Sequence, residues 1–313
     1  MKPVVSVVLP VFAIILSGYL AGRFRLLGDE SSEALNRFVY YVALPVLFFS
    51  SMAKVEPSAI FNWPFIAAYG GGQAITLVLA MLTARIVFKN RLAESSLFGM
   101  AAIFGNTGYM GIPLAVVAFG DPGAFPAILA TVFKSSVIIA LITALIEVDV
   151  SESGRRRDVA RDVVLAVVRN PLVTSSALGI AWSFTGFGLS APIDTFCNIL
   201  GAAAGPCALF AIGLFLVGKP LRRGLGEVGA MLGFKLVGHP LITWWLAFHV
   251  FEVEPLWATI AVVMAALPAG ANCFVLASRY GVYVQRASSA ILLSTVAAVV
   301  TVSLLFSLWA ARP

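Results

Sequence analysis

Lys134 is the residue that most needs a chemical explanation. It lies in Thr131-Val132-Phe133-Lys134-Ser135-Ser136, near the middle of a long apolar run. An ammonium group at mid-bilayer costs about 2.5–3.5 kcal/mol even on the lenient insertion scale. It must face the protein interior and find a partner, yet no Asp or Glu occupies the middle of any apolar run. Three readings stay open. Lys134 meets a substrate anion, it stands as a built-in cation where a relative would bind sodium, or it is tied to carbonyls freed by a broken helix.

Two segments supply such carbonyls. The first is Gly105-Asn106-Thr107-Gly108-Tyr109-Met110-Gly111-Ile112-Pro113. Three glycines, an asparagine and a proline in so short a stretch make a poor straight helix. Inside hydrocarbon, broken backbone survives only when buried in protein or lining a wet cavity. A helix restarting after the break would offer amide donors and positive partial charge to an anion. Asn106 and Thr107 add uncharged donors and acceptors. The second segment, Leu267-Pro268-Ala269-Gly270-Ala271-Asn272-Cys273-Phe274-Val275-Leu276, repeats the theme. Asn272 lies about one turn from Pro268, and two broken helices meeting at the midplane would bring Asn106 and Asn272 together. The plainer alternative for both segments is a small-residue packing seam.

The elements that position these residues follow from composition. The chain has 313 residues, 60% hydrophobic and only 12% charged, with a mean hydropathy of +0.97. A soluble domain is about a quarter charged, so a soluble enzyme, a nucleic-acid binder and a disordered chain are excluded. The apolar runs are continuous rather than alternating, which excludes an outer-membrane barrel. At roughly 20 residues per span, ten helical spans fit: 3–22, 33–52, 63–87, 95–118, 124–147, 163–184, 191–217, 230–250, 256–278 and 285–309.

Lys and Arg alternate across the connections. Those after spans 1, 3, 5, 7 and 9 carry fifteen, among them Arg23, Arg25, Lys89, Arg155, Arg222 and Arg286. The opposite side carries Lys2, Lys54 and Arg312. The positive-inside rule then puts the basic connections in the cytoplasm and both termini outside. The most polar stretch, 149–162, divides the chain into five-span halves, 1–148 and 163–313. Five is odd, so related halves must be inverted. Prolines match between them: Pro45 in span 2 with Pro206 in span 7, and Pro113 in span 4 with Pro268 in span 9. Paired Gly/Pro-interrupted spans in two halves point to a transporter's binding site.

Other candidates have simpler explanations. Arg37, Arg85, Lys235 and Glu147 fall within about two turns of a predicted cytoplasmic end, where long side chains snorkel. His239 and His249 do not share a helical face, so no metal site is expected, and a proton relay through His239 is a minor alternative. Cys197, Cys207 and Cys273 read as small buried residues. Ser51-Met52-Ala53-Lys54 matches S-x-x-K without the accompanying motifs. No Walker loop, H-E-x-x-H or G-x-S-x-G is present, so neither an enzyme nor a cofactor is expected.

The stretch Gly105 to Leu114 resembles the span-4 signature of the auxin efflux carrier family, which includes bacterial malonate- and malate-type permeases and plant PIN carriers. Arg169-Asn170-Pro171-Leu172 resembles the family's start of span 6. Leu267 to Ala277 followed by Arg279-Tyr280-Gly281 resembles its span-9 signature. The resemblance covers essentially the whole chain. It implies an all-α integral membrane protein of ten transmembrane helices in two inverted five-helix repeats, similar to bile-acid sodium symporters. Helices 4 and 9 would cross at Pro113 and Pro268. It further implies a substrate near Asn106 and Asn272, an elevator-like motion, and a homodimer. The long central loop of PIN carriers is missing, and Lys134 matches no family signature.

Together these readings describe a plasma-membrane carrier for a small organic anion such as a carboxylate. The expected binding residues are Asn106, Thr107, Gly108, Tyr109, Pro113, Lys134, Pro268, Gly270 and Asn272. Its partners would be the anion and the lipid bilayer. A passive anion channel and a ligand-binding membrane sensor are the alternatives.

Overall fold

A computed structural model of the chain describes residues 9–55, 61–150, 165, 168–218 and 224–310. Most of the 149–162 linker, the basic cluster Arg155–Arg157, Lys219, Arg222 and Arg223 lie outside these residues. Among the described residues every regular element is helical, apart from one isolated bridge. Five helices are long and apolar enough to cross a membrane: Glu30–Ala53, Trp63–Ile86, Asp121–Val150, Ala191–Leu216 and Val284–Leu308. Shorter apolar helices accompany them.

In chain order the α-helices are α1 (Leu9–Arg23), α2 (Asp29–Phe38), α3 (Leu44–Ala53), α4 (Trp63–Ile86), α5 (Leu92–Ile103), α6 (Ile112–Phe119), α7 (Asp121–Val150), α8 (Pro171–Ser183), α9 (Ala191–Ala202), α10 (Ala204–Leu216), α11 (Leu225–Gly233), α12 (His239–Trp245), α13 (Pro255–Ala266), α14 (Asn272–Tyr280) and α15 (Val284–Ala310). Wide π turns join several of them. Val39–Ala43 precedes Pro45, Thr107–Gly111 precedes Pro113, and Phe234–Gly238 precedes Pro240. In each case the proline is the second residue after the turn. Proline has no N–H, and its ring collides with the carbonyl one turn back. A widened turn lets that carbonyl swing aside, so the helix continues with a bend. Span 7 instead breaks at Ala203, ahead of Pro206.

The helices pack in two groups, each drawing on both halves of the sequence. In one, α1 lies on α10, and α3 lies on α8 and α9. Glycine permits these contacts. A Cβ on Gly18 would stand 2.1 Å from the Phe210 carbonyl oxygen, and one on Gly213 would stand 2.0 Å from that of Ile15. Backbones this close replace the hydrophobic drive that lipid removes. In the other group, α4, α5, α7, α12, α13 and α15 pack together. Its centre is α5 and α13, which are buried on nearly every face. Each has 12 residues, about 18 Å of helix, and so stops inside a hydrocarbon layer of roughly 30 Å.

A polar clasp closes the second group at the end bearing the basic connections. The Asn90 amide and the Tyr283 hydroxyl both donate to Glu227 Oε1, and Arg286 Nε donates to Oε2 at 3.1 Å. Glu227 is 6% exposed, and it lies in the first turn of α11, three residues before the expected start of span 8. Burial, then the Glu227 carboxylate beside it, pushes the Tyr283 hydroxyl well above its ordinary range.

Lys235 overturns its sequence-based reading. It does not snorkel: it is 1% exposed, and its Nζ lies 2.5 Å from the Ala265 carbonyl oxygen. Lys235 lies within the π turn Phe234–Gly238 and its side chain faces inward, which spacing from a helix end does not reveal.

Candidate functional site

Both central helices stop at a backbone crossing. After Ile103 the chain extends through Phe104, Gly105 and Asn106, and after Ala266 it extends through Leu267 to Ala271. The two extended pieces pair antiparallel at Gly105 and Ala269. Asn106 N–H donates to the Pro268 carbonyl at 2.7 Å, and Gly270 N–H donates to the Phe104 carbonyl at 2.8 Å. The Ser294 hydroxyl of α15 accepts from Ala269 N–H at 2.9 Å. Each break therefore satisfies groups that the other leaves free, as low-dielectric surroundings require. Glycine is needed here for space. A Cβ on Gly105 would meet the Met264 carbonyl oxygen at 3.0 Å, and one on Gly270 would meet that of Gly105 at 3.1 Å.

The crossing differs in one respect from the geometry implied by resemblance. Pro268 flanks it, but Pro113 lies beyond the π turn, in the first turn of α6. The break in span 4 falls at Phe104–Asn106, where Gly105 leaves room for the close approach of the Met264 carbonyl. Pro113 packs instead against Gly205 of α10, where a Cβ would stand 3.1 Å from its ring.

Lys134 reaches the crossing from α7. It is 2% exposed. Its ammonium donates to the Gly105 carbonyl at 2.5 Å and to the Thr107 hydroxyl at 2.8 Å. It also lies 3.8 Å from the centre of the Phe104 ring, within cation–π range. Of the three readings, attachment to a freed carbonyl describes the contacts. The charge still stands at a cavity wall.

That cavity has a volume of about 860 Å3. One wall is the crossing, with Asn106, Thr107, Gly108, Tyr109, Gly270 and Asn272; Lys134 and Ser135 come from α7. The opposite wall is Tyr40, Leu44, Ala211 and Phe215, from the other helix group. Ser32, Glu33, Asn36 and Arg37 of α2 line the approach on the side of the basic connections. Arg37 and Glu33 form an exposed pair at 3.8 Å. Tyr109 spans the two groups, its hydroxyl donating to the Asn36 carbonyl at 3.3 Å. The structure thus brings seven of the nine expected residues to one cavity, while Pro113 and Pro268 are not among its lining. Sequence reasoning missed Arg37, Ser135 and the aromatic residues Tyr40 and Phe215. They come from helices whose facing is set only by packing.

The wall suits a small anion that also carries apolar surface. The π turn Thr107–Gly111 and α14 both begin at it, and a helix start presents N–H groups without intrahelical partners. The lysine and the two asparagine amides add donors. Among the described residues, no three His, Cys, Asp or Glu side chains are placed to hold a metal ion.

Comparison with known proteins finds relatives along nearly the whole chain. The family model described as membrane transport protein matches residues 3–306. A Rhizobium meliloti protein named "Putative malonate transporter" is 33% identical over 97% of this chain and 95% of its own length. A Methanothermobacter thermautotrophicus protein named "Uncharacterized transporter" is 27% identical over 95% of each. Auxin efflux carrier component 5 of Arabidopsis thaliana is 24% identical over 92% of each.

Proposed function

This chain belongs to the membrane transport protein family, which it shares with auxin efflux carriers, and from that premise we propose that it is a secondary carrier for a small organic anion. The carrying observation is the convergence of Asn106, Asn272 and Lys134 on one cavity at a hydrogen-bonded crossing of broken helices. A carboxylate would lie against the starts of Thr107–Gly111 and of α14. Gly108 and Gly270 would let it approach the backbone, and the Tyr109 ring would cover it. Pro268 would frame the crossing from behind, and Pro113 would act only by bending span 4.

The ten spans would form two inverted five-span repeats, 1–148 and 163–313, joined by 149–162. The group built on α4–α7 and α11–α15 would carry the crossing as an elevator against α1–α3 and α8–α10. The cavity opens beside the basic connections. By the positive-inside rule this is a cytoplasm-facing state, in a plasma membrane with both termini outside. A homodimer through the stationary group would anchor the moving one.

The test is uptake of labelled malonate into proteoliposomes, with membrane potential, pH gradient and sodium gradient imposed separately. Malate and an aromatic carboxylate serve as comparisons. Saturable flux with counterflow is expected. Conduction without saturation or counterflow would replace the carrier by a channel, and no flux of any acid would remove the substrate class.

A further inference from the structure

A second polar site lies behind the crossing, away from the cavity. Lys235, His239 and Thr243 follow at helical spacing along α12 and the π turn before it, so they share one face. Tyr69 and Gln73 share the facing side of α4. The two faces meet closely: a Cβ on Gly72 would stand 2.3 Å from Thr243 Oγ1, and the Tyr69 and His239 rings are 6.3 Å apart. All five side chains are at most 1% exposed. The Tyr69 hydroxyl faces the Gln73 amide. Yet the hydroxyl, both Gln73 amide atoms, His239 Nε2 and Thr243 Oγ1 have no protein partner at bonding geometry.

Buried polar atoms without partners are costly, and a cluster of them in apolar surroundings needs an explanation. This cluster makes a seam. At its inner end, Lys235 Nζ stands 3.3 Å from where a Gly105 Cβ would be, and it faces His239 Nδ1 at 3.4 Å. Lys134 reaches the same glycine through its carbonyl. The titratable groups facing the lysine–histidine pair are Lys134 of α7, Cys273 of α14 and Tyr69 of α4. Glu227 of α11, eight residues before Lys235, is engaged by Asn90, Tyr283 and Arg286. At the seam's other end Phe65 stacks on Tyr69 and meets the Trp257 ring edge to face, so a proton reaches the seam only when these rings part.

We infer that Lys235 and His239 form a proton-carrying site, loaded along the Tyr69–Gln73–Thr243 seam, that couples proton movement to anion transport. Imidazole can pass a proton through its ring. In the unloaded pair, His239 Nδ1–H donates to the neutral Lys235 amine, and Nε2 is an acceptor facing the seam. A proton from water binds Nε2 as the Nδ1 proton moves to the amine. The result is an ammonium donating to Nδ1 of a neutral imidazole, with one positive charge gained beside Gly105. That charge favours an anion at the crossing, and by linkage the anion favours the proton to the same extent. Proton and anion therefore cross together. This inference rests on the anion-carrier reading above.

Two experiments on the purified full-length protein test it. With a pH indicator in weakly buffered detergent solution, malonate binding takes up on the order of one proton per chain, the value a single linked site gives. In His239→Gln and Lys235→Met that uptake is lost, and malonate binds more weakly with an affinity that no longer varies with pH. Malonate binding without proton uptake by the native protein overturns the coupling and leaves the carrier intact. The second experiment needs no substrate. Difference titration of native protein against Lys235→Met, between about pH 5 and 9, shows a proton taken up within that range. A flat difference overturns the site whether or not malonate is the cargo. If the native protein binds no malonate but the difference remains, the substrate assignment fails and the proton site stands.

Discussion

At the scale of single residues, the crossing depends on the donors of Lys134. Lys134 supplies donors to the Gly105 carbonyl and the Thr107 hydroxyl at once. Lys134→Ala is expected to abolish malonate uptake and to cost about 1–3 kcal/mol of stability, the penalty of an orphaned buried acceptor. Lys134→Met, which keeps the volume, should lose uptake with a smaller drop in melting temperature. If both variants transported normally at native stability, the lysine would have no role at the crossing. Asn106 and Asn272 face the cavity, so Asn106→Ala and Asn272→Ala should each weaken malonate binding by about 1 kcal/mol, several-fold, without unfolding the protein. Calorimetric titration beside a melting curve separates the two effects. The asparagines and Lys134 were legible in the sequence because polar groups are rare and costly inside apolar runs. Lys235 was misread because distance along a helix does not say which way the side chain turns.

At the scale of elements, helix extents and the two interrupted segments were largely legible, and the points at which each segment breaks or bends were not. Continuous apolar runs placed Trp63–Ile86 and Val284–Ala310 to within a residue. The break in span 4 was expected within Gly105 to Pro113, and the resemblance put the crossing at Pro113; it falls at Gly105, because proline bends a helix through a π turn whereas the crossing needs an absent Cβ. Gly105→Ala should therefore damage more than Pro113→Ala. The added methyl group meets a backbone carbonyl and should cost about 1–3 kcal/mol as overpacking, read as a fall in melting temperature together with loss of uptake. An equal effect from both substitutions would count against the crossing. The clasp at Glu227 has its own pH signature. Tyr283 holds its proton to higher pH folded than unfolded. Its contribution is complete below the ordinary tyrosine range near about 10 and declines as pH rises above it. Tyr283→Phe should remove that part of the alkaline decline in melting temperature.

At the scale of the whole molecule, the two helix groups meet at few places, and one of them can be locked. A Cβ on Gly205 would stand 3.3 Å from Pro113 Cβ, close to the separation of about 3.5–4.5 Å that a disulfide spans. In a chain with Cys197, Cys207 and Cys273 replaced, Pro113→Cys with Gly205→Cys should cross-link under oxidant and stop malonate uptake. Reductant should restore it. Full uptake while cross-linked would mean that these groups do not slide past each other. The grouping itself was only half legible, since sequence divides the chain at 149–162 whereas packing mixes helices from both sides of that point. The bridge between Gly105 and Ala269 has a further consequence. It is made of main-chain atoms, so it is indifferent to which side chains flank it. Residues beside it, such as Asn106, Ala271 and Asn272, can be exchanged without unfastening the joint. A scaffold of this kind can acquire new cargo by single replacements around a fixed knot, and its selectivity can drift while its architecture stays still.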